Sequence, residues 1–151
     1  MEKKFVIAIL VENQPSVLTR VSGMFTRRAF NIDSLTVGET EDPNYSRITI
    51  HASGDDSTRK QVMKQLRKLY NVKEVKVMEH TKSVYRELAL IKLKNDPSTR
   101  QEVLSAVDIF RSKIEAFIAL VKPLGILEMC RTGVVALERG SEFLNSDTCV
   151  K

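Results

Sequence analysis

The chain has 151 residues, of which 42% are hydrophobic and 28% charged, and its net charge is +5. These values are typical of a globular chain with one average or two small domains, and no apolar run reaches the roughly 20 residues of a membrane-spanning helix. Cys130 and Cys149 are too few and too isolated for a disulfide scaffold or a zinc site, so we expect a cytoplasmic protein.

The chain begins with a strand and a helix. Residues 5–11 form a near-continuous apolar run, which predicts a strand buried on both faces; Glu12 follows at once, which argues against a signal peptide. Pro15 suits the first turn of a helix because its missing N–H costs nothing there. Apolar residues then recur at helical spacing, at Val17, Val21, Met24 and Phe25.

Two strands, a second helix and a fourth strand follow. The strands are predicted at residues 32–38 and 47–52, with the turn-rich loop GETEDPNYS between them. The next helix opens with residues that can cap it, Asp55, Asp56 and Ser57, and its apolar positions are Val62, Leu66 and Leu69. Alternating valine and lysine predict a half-exposed strand at 72–77.

The order β-α-β-β-α-β is that of a ferredoxin-like unit, an antiparallel sheet with both helices on one face. The first strand is apolar on both of its faces, so we expect the second face of the sheet to be covered as well. A second copy of the chain is the cover that we predict, in a dimer or a higher oligomer.

The second half of the chain repeats the first. ELALIKLKNDPS at 87–98 matches FVIAILVENQPS at 5–16, since each has a strand, then Asn-x-Pro-Ser, then a helix. The helix that follows in this second half is predicted to have apolar positions at Val103, Val107 and Phe110. We therefore predict an α+β fold with two ferredoxin-like units, over residues 1–79 and 84–140, joined by a linker at 80–83 and followed by a tail at 141–151.

The repeat breaks after Ile114. FRSKI runs directly into EAFIALVKPLGI, which is typical of the last helix of the unit, so two strands of roughly twenty residues are missing. Either the second domain is shortened, or the sequence lacks a stretch here. The absence of a turn residue at Lys113, Ile114 and Glu115 favours a missing stretch.

Catalysis and nucleic-acid binding are not supported. The chain has no nucleophile elbow, no phosphate-binding glycine loop and no His/Cys/Asp cluster with the spacing of metal ligands, so we predict no catalytic or metal-binding residues. His51 and His80 are interpreted as ordinary surface histidines. The basic residues are spread along the chain, and no aromatic residues are interleaved with them to stack on bases.

Two asparagines flank the first helix. Asn13 lies between the first strand and the helix start, where free N–H groups and the helix dipole attract a carboxylate. Asn31 lies some 20 Å away, at the far end of the helix, so the two cannot meet on one small ligand within a chain. They could meet across a dimer. The alternative is purely local: Asn13 bonds its own turn and Asn31 ends the helix.

Several long stretches carry a resemblance to one family. ENQPSVLTRVSGMFTRRAFNIDSLTVGETEDPNYSRITI, RELALIKLK, IFRSKI and RTGVVALERG closely resemble the regulatory (small) subunit of acetolactate synthase, and the match runs from residue 4 to about 140 except at the break. The resemblance implies an N-terminal ACT domain that pairs with its copy, and a related C-terminal domain. It implies no catalysis by this chain, and no cofactor in it.

The resemblance also implies a partner and an effector. Regulatory subunits of this family bind the catalytic (large) subunit, which uses thiamine diphosphate, Mg²⁺ and often FAD to condense pyruvate with a second 2-keto acid. They raise its activity and confer feedback inhibition by valine, in some cases by leucine or isoleucine. Valine would bind across the ACT dimer, between two sets of residues: Asn13, Pro15, Ser16, Val17 and Leu18 of one chain, and Asn31 and Ile32 of the other.

Ser16 departs from the family pattern, which has glycine at this position. A glycine lets the ligand approach the backbone, whereas Ser16 adds a Cβ and a hydroxyl, so we expect weakened or altered effector binding. The other class considered is an amino-acid-sensing transcriptional regulator, which would need a helix-turn-helix for which neither terminus has room. The basic helix at 59–68 is a candidate contact for the catalytic subunit, although a solvated face explains it too.

Overall fold

The computed structural model describes residues 3–94, 97–98, 100–109, 113–140 and 144. It divides into two compact units: the first is formed by residues 1–87 and 133–151, and the second by residues 88–132. These bounds differ from the predicted domains, 1–79 and 84–140, because residues 84–87 and 133–140 belong to the first unit. None of the helices among the described residues is long and apolar enough to cross a membrane.

The first unit is built on a four-stranded antiparallel sheet of order β2-β3-β1-β4. Its elements are β1 (Lys3–Glu12), α1 (Val17–Thr26), β2 (Ile32–Glu39), β3 (Tyr45–Gly54), α2 (Asp56–Leu66) and β4 (Val72–Met78). The predicted ferredoxin-like unit is therefore confirmed. Strand β2 is at an edge, and among the described residues only β3 pairs with it.

Both helices pack on one face of this sheet. The stripe of α1 is buried as predicted, at Val17, Val21, Met24 and Phe25, and in α2 Val62 and Leu66 are buried. They join the alternate residues of β1 that face them in one apolar cluster. Asp55 caps α2, because its Oδ1 accepts a hydrogen bond of 2.7 Å from the backbone N–H of Thr58.

The opposite face of the sheet is covered by the chain itself. Strands β5 (Ser83–Arg86) and β8 (Val135–Glu138) pair antiparallel, and Ala136 of β8 packs with Val6, Ala8 and Met78. The prediction that β1 is buried on both faces is thus confirmed. The inference that a second copy covers this face was wrong, since β5 and β8 lie too far apart in sequence for a local pattern to reveal their pairing.

The second unit contains β6 (Ala89–Leu93), α3 (Arg100–Ile109), α4 (Ile114–Val121), a short 3-10 helix (Lys122–Leu124) and β7 (Ile126–Arg131). Strands β6 and β7 pair antiparallel, as β1 and β4 do in the first unit, and the described residues hold no counterpart of β2 and β3. The two strands that are missing from the sequence repeat are therefore also missing from the described part of this sheet.

The apolar stripe predicted for α3 is wrong in part. Ala106 is the residue of α3 that is buried, Val103 is half-buried, and Val107 is 45% exposed. A two-stranded sheet offers less surface to cover a helix than the four-stranded sheet of the first unit does. Phe110 and the predicted tail, apart from Leu144, lie outside the described residues.

Candidate functional site at the ends of strand β2

Asn13 is fixed at the C-terminal end of β2. Its Nδ2 donates hydrogen bonds to Oε1 of Glu39 (3.1 Å) and to the backbone carbonyl of Pro43 (3.0 Å), and its backbone N–H donates to the carbonyl of Asn44 (2.7 Å). The side chain nevertheless remains exposed. With both amide hydrogens directed at the protein, the carboxamide oxygen is the group that Asn13 can offer to a ligand.

The turn between Asn13 and α1 is exposed at Pro15 and Ser16. Ser16 has φ 70° and ψ −4°, in the left-handed region that favours glycine, and its side chain makes no capping hydrogen bond to the helix. The backbone conformation thus explains why glycine suits this position. Val17 lies in the core and is 5% exposed, whereas Leu18 is 44% exposed, so Leu18 is the apolar side chain of this turn that a ligand can reach.

Asn31 is fixed at the other end of β2. Its Nδ2 donates to Oδ1 of Asp33 (3.1 Å), and Oδ2 of Asp33 accepts from the hydroxyl of Ser53 (2.8 Å) at the end of β3. Ile32 is half-buried and packs against the core. The two asparagines are therefore separated by the eight residues of β2, about 23 Å of extended chain.

A buried polar network supports the turn that follows β1. Asn71 is 6% exposed; its Nδ2 donates to Oε2 of Glu12 (2.8 Å), and its Oδ1 accepts from Nη1 of Arg20 (3.2 Å). Lys73 forms an ion pair of 2.6 Å with Glu12, and this charged hydrogen bond, followed by that from Asn71, lowers the pKa of Glu12. The network ties the start of α1 to the start of β4.

Sequence reasoning missed the acidic partners of both asparagines, Glu39 and Asp33, and it missed Asn71. Asp33 is two residues from Asn31, and this spacing was a usable signal. Glu39 gave no such signal, because it lies beyond the predicted strand 32–38 and meets Asn13 only through the register of β2 on β3. Asn71 gave none, because its partner Glu12 is 59 residues away in sequence. The two carboxylates place negative charge beside each asparagine, where a ligand's ammonium group would be attracted.

Within the described ranges, no three His, Cys, Asp or Glu side chains are placed to hold a metal ion. His80 is exposed and its ring stacks on Tyr85, with 4.5 Å between ring centroids. His51 is half-buried rather than a simple surface residue, and its burial lowers its pKa.

Comparison with known proteins places the fold in a class. A family model described as the AHAS small subunit-like ACT domain matches residues 7–74, and a model described as the small subunit of acetolactate synthase matches residues 86–114 and 111–140. The first unit, with its open edge strand and its turn at Ser16, is therefore an ACT domain.

Whole-chain relatives identify the family. The acetolactate synthase small subunit of Mycolicibacterium smegmatis is 42% identical over 153 residues, covering 89% of this chain and 90% of that one. The probable acetolactate synthase small subunit of Archaeoglobus fulgidus is 45% identical over 159 residues, covering 92% and 99%. The crystal structure of the acetolactate synthase small subunit from Thermotoga maritima has a TM-score of 0.84 at 38% identity, covering 93% and 99%. This chain belongs to the acetolactate synthase small subunit family, as the resemblance predicted.

The same comparisons bear on the break after Ile114. The alignment with the archaeal relative runs over 159 residues, more than the 151 of this chain, so that relative holds residues that this chain lacks. The second family model matches in two pieces that meet at residues 111–114. A stretch that the family has is thus absent from this chain at the point where the sequence repeat breaks.

Proposed function

We propose that this chain is the non-catalytic regulatory subunit of acetolactate synthase, that it raises the activity of the catalytic subunit, and that it makes the enzyme sensitive to valine. Family membership supports a small subunit with a larger partner. Thiamine diphosphate, Mg²⁺ and FAD belong to that partner in this proposal, and this chain holds no cofactor. We place the pair in the cytoplasm, in branched-chain amino acid biosynthesis.

The open edge of β2 is the observation that carries the effector site. Antiparallel pairing of β2 with β2 of a second copy, about a two-fold axis, would continue the sheet across two chains. In such a pair the start of one β2 lies beside the end of the other. Asn31 would then approach the partner end at Glu39, where Asn13 is held. Two asparagines that are separated in one chain would meet in the dimer.

The chemistry of this site suits a zwitterion with an apolar side chain. The carboxamide oxygen of Asn13 and the carboxylates of Glu39 and Asp33 attract an ammonium group, and the first N–H groups of α1 attract a carboxylate. Leu18 is the exposed apolar side chain at the same turn, and Ile32 is half-buried at the other end of β2. Valine matches this set, and so do leucine and isoleucine.

The regulatory step in this proposal is a population shift. An effector that bridges two chains binds the paired arrangement more tightly than separate chains, so it favours the dimer conformation in which β2 pairs. The catalytic subunit senses valine to the extent that it binds one of these conformations more tightly than the other. Acetolactate production by the synthase, with and without this chain across valine concentrations, tests the regulatory function as a whole.

Mixing two variants tests whether the site is shared. Asn13→Ala and Asn31→Ala should each weaken valine binding by about tenfold or more in calorimetry, since each removes a hydrogen bond to a charged group. When the two variants are unfolded together and refolded, half of the dimers pair one variant with the other, and one of the two sites in these dimers is intact. About a quarter of all sites should therefore recover wild-type affinity.

The control for this experiment is Gln61→Ala, on the exposed surface of α2, which should bind valine as the wild type does. The contradicting result is a mixture that recovers no binding although size-exclusion chromatography shows that dimers form. In that case either one chain supplies both asparagines to a site, or the asparagines do not belong to the site.

A further inference from the structure

The positive charge of the chain is concentrated on the two helices of the first unit. Residues 14–31 and 55–69 contain eight basic side chains and two acidic ones, a net charge of +6, while the whole chain carries +5. The basic residues are Arg20, Arg27, Arg28, Arg59, Lys60, Lys64, Arg67 and Lys68. The rest of the chain is therefore slightly negative, and the surplus is a property of one surface.

These basic residues lie on or next to α1 and α2, on the side of the first unit's sheet that the two helices cover, and we call this surface the basic face. The apolar stripes of α1 and α2 are turned toward the sheet, so the remaining sides of both helices point to solvent. Arg28 links the two helices, because its Nη2 donates a hydrogen bond of 2.9 Å to Oε1 of Gln65. Seven of the eight basic side chains are exposed, and Arg59 is partly exposed.

Few of these charges are compensated. Arg59 pairs with Asp56 at 3.2 Å, yet in the part of the chain that the structure describes no acidic group pairs with Lys60, Lys64 or Lys68. These three lysines follow one another at a spacing of four residues, which puts like charges side by side on α2 and at its C-terminal end. Like charges at this spacing repel one another.

We propose that the basic face docks on a carboxylate-rich surface of the catalytic subunit of acetolactate synthase. The inference rests on the proposed function, and it names the surface by which this chain binds its partner. Opposite charge on the partner would relieve the repulsion between the lysines and would speed association. Binding would thus recover the free energy that repulsion between the lysines costs the isolated chain.

A protein partner fits this surface better than nucleic acid does. Tyr70 is 84% exposed, two residues beyond Lys68, and tyrosine and arginine are enriched at protein interfaces. Single-stranded nucleic acid binding uses several aromatic side chains, whereas Tyr70 is the one exposed aromatic residue in the described ranges 14–31 and 55–70.

Charge neutralisation tests the proposal. The triple variant Lys60→Gln, Lys64→Gln, Lys68→Gln nearly keeps the helix propensity while it removes three charges. Its affinity for the purified catalytic subunit should fall roughly tenfold at low salt, and its affinity should decline less steeply with added salt than that of the wild type. Circular dichroism and thermal unfolding should be unchanged or slightly improved.

A matched control makes the same charge change in the second unit, where Lys92→Gln, Lys94→Gln, Lys122→Gln replaces three exposed lysines. This variant should bind the catalytic subunit as the wild type does. Equal affinities of the wild type and both variants would overturn the proposal, and so would an equal loss in both variants.

Two further outcomes separate the alternatives. If the wild type does not bind the catalytic subunit at any salt concentration, the proposed function itself fails. If the basic-face variant loses binding to a labelled 20-base-pair DNA duplex at physiological salt but keeps its affinity for the catalytic subunit, the surface serves a nucleic acid and the proposal is overturned.

Discussion

Two residues at the ends of α1 adopt a backbone conformation that favours glycine, and neither is glycine. Ser16 has φ 70° and Ala29 has φ 53°; the first precedes the helix and the second follows it. A left-handed residue with a Cβ costs roughly 1–2 kcal/mol. Each position lies within three residues of one asparagine of the candidate site. A glycine replacement at either position therefore relieves the strain near one asparagine at a time.

Replacement of Ser16 by glycine should both stabilise the protein and tighten valine binding. Relief of the strained backbone, less the entropy that glycine loses on folding, should raise the free energy of unfolding by about 0.5–1 kcal/mol. Removal of the Cβ and hydroxyl should also let valine approach the start of α1 more closely. Denaturant unfolding and calorimetry measure the two effects.

Ala29→Gly is the control for this prediction, because it relieves the same kind of strain at the other end of α1. It should raise stability by a similar amount and leave valine affinity unchanged. Wild-type valine affinity in Ser16→Gly would show that the serine side chain does not crowd the ligand.

At the scale of elements, residues 133–138 form a strap across the sheet face that lies opposite the helices. The backbone N–H of Val134 donates to the hydroxyl of Ser34 on β2 (3.4 Å), Nη2 of Arg47 on β3 donates to the carbonyl of Ala136 (2.7 Å), and Lys76 on β4 pairs with Glu138. The strap thus reaches from the edge strand of the candidate site to the opposite edge.

Gly133 makes the close approach of the strap to β2 possible. Its φ is +82°, and a Cβ at this position would lie 2.9 Å from Cβ of Ser34. Gly133→Ala should therefore lower the free energy of unfolding by about 2–3 kcal/mol, from backbone strain and the clash together. Thermal unfolding measures the loss. A second replacement, Ser34→Gly, should restore only some of the part due to the clash, because it also removes the hydroxyl that accepts from Val134 and leaves Oγ1 of Thr36 at 3.2 Å from the added Cβ.

Gly140→Ala separates the two causes, since Gly140 has φ +90° and a Cβ added there would have open space within 4 Å. It should cost only the strain, about 1 kcal/mol. Equal losses in Gly133→Ala and Gly140→Ala would mean that the contact with Ser34 is unimportant.

The elements of the first unit were predictable because their signals are local. The apolar run of β1, the stripe of α1 and the cap at Asp55 each lie within one short segment, and each is found close to its predicted position. Gly133 belongs to one of the stretches that carry the family resemblance, but residue types alone do not explain it. Its neighbour Val134 bonds a residue 100 positions away, and pairing at that distance leaves no periodic trace in a single sequence.

The members of the candidate site remain a prediction from the sequence, and the residues that support them could not be predicted. Asn13, Asn31 and the turn at Ser16 followed from helix-end chemistry and family resemblance. Val17 was included because it lies in the turn, yet the fold directs it into the core. Strand register, which decides that Glu39 meets Asn13, depends on how β2 pairs with β3, and residue types alone do not determine it.

At the scale of the whole molecule, the second unit is an insertion in the first. The chain leaves the first unit after β5 and returns to it at the strap, and Arg86 of β5 pairs directly with Val135 of β8. The two points where the second unit is attached are therefore neighbours in a β-ladder. A short turn could join them.

Replacement of residues 88–132 by an Asn-Gly turn should leave the first unit folded. Thermal unfolding should remain cooperative, and valine affinity should match that of the full chain, since the proposed site residues all lie outside the deleted segment. A variant that is soluble but shows no cooperative transition would mean that the first unit depends on the second for its stability.

Because Arg86 and Val135 are neighbours, the segment between them can change in length without moving the strands on either side. A segment whose two ends meet can grow, shrink or lose a pair of strands without altering the path of the polypeptide on either side. The shortened stretch around Ile114 is then a local loss, confined to the inserted segment, which leaves the path of the first unit unchanged.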